Sequence, residues 1–251
     1  MRIVRFEHDG GVGYGCVEHD TVYRLEGSPF EDPKRGTVVG AANDVRLLAP
    51  CEPTKVVAVG LNYRSHAQEM GLDLPTEPIL FMKPSTAVVG PSEDVVYPAM
   101  SQRVDYEAEL AVVIGRRAKM VTPDEVESYI LGYTCGNDVT ARDLQKKDGQ
   151  WTRSKGFDTF CPLGPWLVTD LDDSNNVGLS CRVNGVVKQT GNTNDLVFDV
   201  FALVSFISQI MTLEPGDVVM TGTPSGVAPV QRGDVMEIEA EGIGVLRNTV
   251  M

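Results

Sequence analysis

Apolar and polar residues alternate with a period of two along most of this chain, the spacing of a strand with one buried face. Residues 2–7, 13–18 and 21–25 are short runs of this kind, divided by turn material at His8-Asp9-Gly10-Gly11 and His19-Asp20. They predict a small β-meander over residues 1–50, closed by a linker in which Pro50 and Pro53 block regular structure. A second unit, residues 51–251, opens on Lys55-Val56-Val57-Ala58-Val59-Gly60, the continuous apolar run of a buried strand. Strand patterns recur at 79–83, 94–97, 104–114, 130–135, 166–169, 179–183 and 186–189, the last two joined by the hairpin pair Asn184-Gly185. Helical signals are fewer. Thr122-Pro123-Asp124-Glu125 combines an N-cap, a proline at the first helical position and first-turn acids, and it starts a short helix. Residues 139–145 also read as helix, and a core helix follows Asp199 as N-cap and stops before Leu213. Residues 146–156 read as a polar, mobile loop with one aromatic, Trp151. Strands are not separated by helices in a βαβ rhythm, so the expected class is α+β, mainly β, with a few short helices packed on antiparallel or mixed sheets.

One strand breaks the pattern. In Asp105-Tyr106-Glu107-Ala108-Glu109 the two glutamates share a face, roughly 7 Å apart, while Val104, Tyr106, Ala108, Leu110, Val112 and Ile114 form the opposite, apolar face. Neighbouring carboxylates repel and acids are poor strand formers, so a bound hard cation is one explanation. A solvated outer face of an amphipathic strand is the other. Asp138, at the end of the strand ending in Gly136-Asn137, would complete a three-carboxylate, all-oxygen site for Mg²⁺ or Mn²⁺, with Ca²⁺ possible; taken alone, Asp138 reads more simply as a strand cap making a local turn. In Leu61-Asn62-Tyr63-Arg64-Ser65-His66-Ala67-Gln68-Glu69-Met70-Gly71, a helix capped by Gly71 would put His66 and Glu69 on one face. A carboxylate that fixes an imidazole tautomer is the arrangement of a general base acting on water, although an exposed helix with an incidental pair has the same spacing.

Charge and cysteine usage remove several classes. The net charge of −13 argues against nucleic acid and anionic membranes as partners, because such binding needs clustered Lys and Arg; small anions need only a local positive site. The five cysteines are widely spread with no CxxC pair, which fits reduced thiols in a cytoplasmic protein. The N-terminus lacks the apolar core of a signal peptide, and the longest apolar stretch, 196–213, is interrupted by polar residues. Gly222-Thr223-Pro224-Ser225-Gly226 lacks the lysine of a phosphate loop, and no GxSxG elbow is present.

Six motifs, in order, resemble the fumarylacetoacetate hydrolase family in its short acylpyruvase branch. They are Val59-Gly60-Leu61-Asn62-Tyr63 with His66-Ala67 and Glu69-Met70; Phe81-Met82-Lys83-Pro84-Ser85; Asp105-Tyr106-Glu107-Ala108-Glu109-Leu110; Gly136-Asn137-Asp138-Val139-Thr140-Ala141-Arg142-Asp143; Ser154-Lys155-Gly156-Phe157-Asp158; and Thr221-Gly222-Thr223-Pro224-Ser225-Gly226-Val227. The resemblance implies a mixed β-sandwich roll, commonly a homodimer, with a small N-terminal β appendage. It implies that Glu107, Glu109 and Asp138 bind Mg²⁺ or Mn²⁺. His66 and Glu69 would activate water on a short helix that closes over substrate, Lys155 would stabilise developing negative charge, and Arg142, Gln145 and Thr223 would line the substrate pocket. The implied activity is hydrolytic cleavage of a C–C bond in acylpyruvate-type 2,4-dioxo acids through an enolate stabilised at the cation. The same site could serve an isomerase of 2-hydroxyhepta-2,4-diene-1,7-dioate, a dienoic acid of aromatic catabolism, or an oxaloacetate decarboxylase. Asp105 has no role in this correspondence and is expected to be structural.

Overall fold

The period-two runs assemble into one large sheet in a computed structural model that describes residues 1–251. From edge to edge its strands are Lys34–Ala41, Thr21–Glu26, Gly11–Glu18, Arg2–His8, Cys161–Val168, Ile130–Asn137, Ala108–Ile114, Val218–Met220, Val56–Gly60 and Ile79–Lys83. Neighbours along this path are antiparallel except Val218–Met220 against Val56–Gly60, so the sheet is mixed. A four-stranded sheet (Val186–Asn192, Gly178–Val183, Val235–Ala240, Gly244–Thr249) and a three-stranded one (Thr140–Ala141, Val104–Asp105, Pro229–Val230) complete the mainly-β α+β fold.

Four helices, α1 (Arg64–Met70), α2 (Arg142–Asp148), α3 (Thr152–Lys155) and α4 (Val200–Ile210), pack on these sheets. The core helix α4 begins where its cap requires, with Asp199 Oδ1 accepting the Ala202 N–H at 2.8 Å. The predicted helix after Thr122 is a 3₁₀ segment, Pro123–Tyr129, with a capping box between Thr122 and Glu125. No helix is long and apolar enough to cross a membrane.

The first 50 residues do not form a layer of their own. Arg2 and Ile3 pair with Val168 and Leu167, which continues the large sheet into the N-terminal strands. The predicted linker begins with a short strand, Arg46–Leu48, paired to Arg2–His8. A fourth N-terminal strand, Lys34–Ala41, carries no period-two signal because it is largely exposed and has no apolar alternation. Residues 146–156 are not an open loop. The left-handed Gly149 (φ 71°) ends α2, and the indole of Trp151 then packs on Gly60 and edge-to-face on Phe81, ring centroids 5.2 Å apart, which anchors the start of α3.

The segment 104–114 differs most from expectation. It is not one strand: Val104–Asp105 belongs to the small sheet and Ala108–Ile114 to the large one. Between them, side-chain amides take the backbone donors that a continuous ladder would use. Asn137 Oδ1 accepts from Glu107 N at 3.0 Å and Gln189 Oε1 accepts from Ala108 N at 2.9 Å. Nor is the glutamate face solvated. Leu110, Val112 and Ile114 belong to a 36-residue apolar cluster on one side, and Ala111 and Val113 to a 16-residue cluster on the other. Both faces are therefore core, and Glu109 is 1% exposed.

Candidate active site

Three buried carboxylates converge where the central strands end. Glu109 lies on Ala108–Ile114, Glu107 in the break before it, and Asp138 just beyond Ile130–Asn137. The Asp138 N–H donates to the Glu107 carbonyl at 3.0 Å, which fixes the two segments together. One oxygen from each of Glu107, Glu109 and Asp138 lies within 4.8 Å of the others.

Basic groups compensate two of the three acids. Asp138 lies between two buried lysines, Lys83 Nζ at 2.5 Å from Oδ1 and Lys155 Nζ at 2.6 Å from Oδ2. Lys155 also reaches Glu107 Oε2 at 2.9 Å, and Arg142 Nη2 pairs with Glu107 Oε1. Burial by itself pushes the Glu107 carboxyl up, but the Lys155 and Arg142 charges outweigh it and hold the group well below the usual carboxylate range. Burial likewise lowers Lys155, and the Asp138 and Glu107 charges more than restore it, so its ammonium stays charged. Glu109 is different. It receives one N–H, from Gly222 at 2.7 Å, and no lysine or arginine. Burial first, then repulsion from Asp138 and Glu107, pushes its carboxyl well above the usual range. An all-oxygen donor set with one uncompensated acid suits a hard divalent cation, which would supply the countercharge that Glu109 lacks.

A cavity of about 320 Å³ opens onto this cluster and gathers eight of the nine predicted site residues on its wall: His66, Glu107, Glu109, Asp138, Arg142, Gln145, Lys155 and Thr223. Glu69 lies just behind. Its Oε2 is 3.2 Å from His66 Nδ1, and its Oε1 accepts the Gly226 N–H at 3.0 Å. With an ionised Glu69 as acceptor, Nδ1 donates and the imidazole lone pair is left on Nε2. Thr223 is held by Gln189, whose Nε2 donates to Thr223 Oγ1 and to the Pro224 carbonyl, both at 2.9 Å. Apolar side chains, among them Leu61, Met70, Leu72, Ile79, Phe81 and Trp151, complete the wall. A second depression of about 510 Å³ lies beside Arg2, Trp166 and Glu239, where Trp166 is paired with the Ile243 carbonyl and Glu239 with Arg182.

Three participants stand outside the roles that the family resemblance implies. Lys83 is fully buried, and a lysine closing the apolar run Ile79-Leu80-Phe81-Met82 is itself a signal. Asp105 is structural as expected, with a definite task. It is fully buried and accepts from Arg103 Nε at 2.8 Å and from Arg142 Nε at 2.9 Å, fixing the guanidinium that pairs with Glu107. Gln189 clamps the Thr223 turn to the break at Ala108, and nothing in its local sequence marks it.

Fold and site together define a mixed-sheet protein whose cavity carries a buried acidic triad able to hold a divalent cation. The chain belongs to the fumarylacetoacetate hydrolase family: the description "Fumarylacetoacetate (FAA) hydrolase C-terminal" matches residues 55–251, and "Rv2993c-like, N-terminal" matches residues 1–50. The structure of 2-hydroxyhepta-2,4-diene-1,7-dioate isomerase from Mycobacterium marinum is 46% identical, covers 100% of this chain and 98% of its own, and superposes with a TM-score of 0.93. The maleylpyruvate hydrolase of Sphingobium sp. SYK-6, solved with manganese(II) and pyruvate, is 30% identical with a TM-score of 0.84, over 100% of this chain and 99% of its own. Oxaloacetate tautomerase Fahd2a, mitochondrial, of Rattus norvegicus is 46% identical over 83% of this chain and 70% of its own length. The family thus includes isomerases, hydrolases and tautomerases.

Proposed function

We propose that this protein is a divalent-cation-dependent enzyme that cleaves the C–C bond of acylpyruvate-type 2,4-dioxo acids. The observation that carries the reading is the placement of the acidic triad and Lys155 in the same cavity as His66, whose Nδ1 lies 3.2 Å from Glu69 Oε2. Mg²⁺ or Mn²⁺ held by Glu107, Glu109 and Asp138 would chelate the 2-oxo acid and withdraw electron density from its oxygens. His66 Nε2 takes a proton from water while Glu69 steadies the imidazolium. The hydroxide so formed adds to the distal carbonyl carbon, and the bond between that carbon and its neighbour breaks. The electron pair passes into the enolate of pyruvate, where the fixed ammonium of Lys155 faces the developing charge. The Gln145 amide, oriented by Arg142 Nη1 at 2.8 Å from its Oε1, presents its N–H groups to the substrate.

Isomerisation is the second reading, favoured by the relatives named as isomerase and tautomerase. It needs no water, only a base that moves the proton of the substrate's 2-hydroxyl to a chain carbon. With Mg²⁺ or Mn²⁺ present, loss of acetylpyruvate absorbance tests hydrolysis, ketonisation of a 2-hydroxydienoate tests isomerisation, and pyruvate release from oxaloacetate tests decarboxylation. Absence of all three activities sinks the enzyme assignment. The homodimer implied by the family resemblance belongs to the same proposal, and sedimentation equilibrium that finds only the 27.3 kDa monomer would remove it.

A further inference from the structure

Three cationic side chains line the cavity, and two are fully engaged: Arg142 holds Asp105 and Glu107, and Lys155 holds Glu107 and Asp138. The third, Lys146, is exposed at the rim and holds no carboxylate. It lies on α2 four residues beyond Arg142 and one beyond Gln145, so all three project from one side of the helix. Arg142 is pinned to Glu107 at the deep end, and Lys146 stands one turn, about 6 Å, further along the axis. The cavity wall also offers carbon, from Leu61, Met70, Leu72, Ile79 and Trp151.

Charge balance gives this layout a consequence. The other cations at the site are already held by carboxylates: Arg103 and Arg142 by Asp105, Arg142 and Lys155 by Glu107, and Lys83 and Lys155 by Asp138. A divalent cation at the triad would serve the carboxylate of one 2-oxo acid group. A second carboxylate on the same substrate, inside a protein of net charge −13, finds no countercharge except Lys146.

We propose that Lys146 is a specificity-determining residue and that the preferred substrate is a 2-oxo acid whose chain passes the apolar wall and ends in a second carboxylate at the Lys146 ammonium. This inference rests on the 2-oxo acid reading given above and narrows it from monocarboxylic acylpyruvates to dicarboxylic substrates. It does not depend on which bond is made or broken.

The test compares two unreactive acids of equal length, 2-oxohexanoate and 2-oxoadipate, binding to the Mg²⁺-loaded full-length protein by titration calorimetry. The wild type binds the diacid about fivefold tighter, the scale of one exposed ion pair. Lys146→Met abolishes the preference while leaving 2-oxohexanoate affinity unchanged, and Lys146→Glu reverses it. Lys147→Met, which removes an equal charge from the same helix end but not from the cavity wall, keeps it. Equal binding of both acids by the wild type, or a preference that survives Lys146→Met, overturns the role of Lys146 alone. Failure of either acid to bind the Mg²⁺-loaded protein overturns this inference together with the 2-oxo acid reading.

Discussion

Glu109 is the carboxylate on which the charge balance of the site turns, because its two neighbours have lysine and arginine partners and it has only the Gly222 N–H. Its raised carboxyl has a definite pH signature in the cation-free protein. Above the ordinary glutamate value of about 4.3, the unfolded chain has released a proton that folded Glu109 still holds. The folded state therefore binds more protons, and stability falls as pH rises through the window up to the raised value. Glu107 acts on the other side: its depressed carboxyl contributes stability that is lost as pH falls below the ordinary value. Glu109→Gln keeps an acceptor for Gly222 and removes the repelling charge. Urea denaturation at about pH 5 and pH 7 should show the decline in the wild type and its loss in the variant. The same substitution should weaken Mg²⁺ or Mn²⁺ binding at least about 100-fold, since even outer-shell partners of a metal site are worth 10- to 100-fold. In the wild type, binding should release protons, seen as a buffer-dependent heat in calorimetry. Undiminished cation affinity in Glu109→Gln would remove the carboxylate cluster as the metal site.

Among the elements, α1 bears most directly on turnover. Glu69 serves two partners at once, with Oε2 on His66 and Oε1 on the Gly226 N–H, so the helix that carries the base is tied to the turn that carries Thr223. Glu69→Gln keeps an acceptor oxygen for the Gly226 N–H, turns its NH2 toward His66 Nδ1, and removes the charge that stabilises imidazolium. It should lower kcat by about 10²-fold, the lower end for a general base, with KM and cation affinity little changed. Glu69→Ala also frees α1 and should raise KM; steady-state kinetics on both variants checks the split, and an unchanged kcat in Glu69→Gln would remove Glu69 from the proton-transfer step. Such elements were legible in the sequence where the signal was local: the Asp199 cap of α4, the Gly71 cap of α1, and the i, i+3 spacing of His66 and Glu69. What was not legible depended on distant partners. A period-two pattern cannot tell a solvated glutamate face from one pressed against a second core, and the break at Tyr106–Glu107 is made by Asn137 and Gln189, 30 and 81 residues away. The ordering of residues 146–156 rests in the same way on Trp151 meeting Gly60 and Phe81.

At the scale of the whole molecule, the acidic triad lies where the large sheet, the small sheet and α2 with α3 meet, so a cation bound there would be coupled to global stability. A ligand that binds only the folded state stabilises it by about 2.7 kcal/mol at one hundred times its Kd. For a chain of 251 residues each kcal/mol moves Tm by roughly 2–4 °C, so saturating Mg²⁺ or Mn²⁺ should raise Tm by roughly 5–10 °C and a chelator should reverse the rise. A surface of net charge −13 would also gain from any cation, through relief of self-repulsion. The two effects separate at constant ionic strength set with K⁺, where screening is equal in all samples. Under that condition the shift should persist in the wild type and in Lys146→Met, whose side chain lies away from the triad, and should vanish in Glu109→Gln. A shift of equal size in Glu109→Gln would assign the stabilisation to the acidic surface, and the triad would no longer be the metal site.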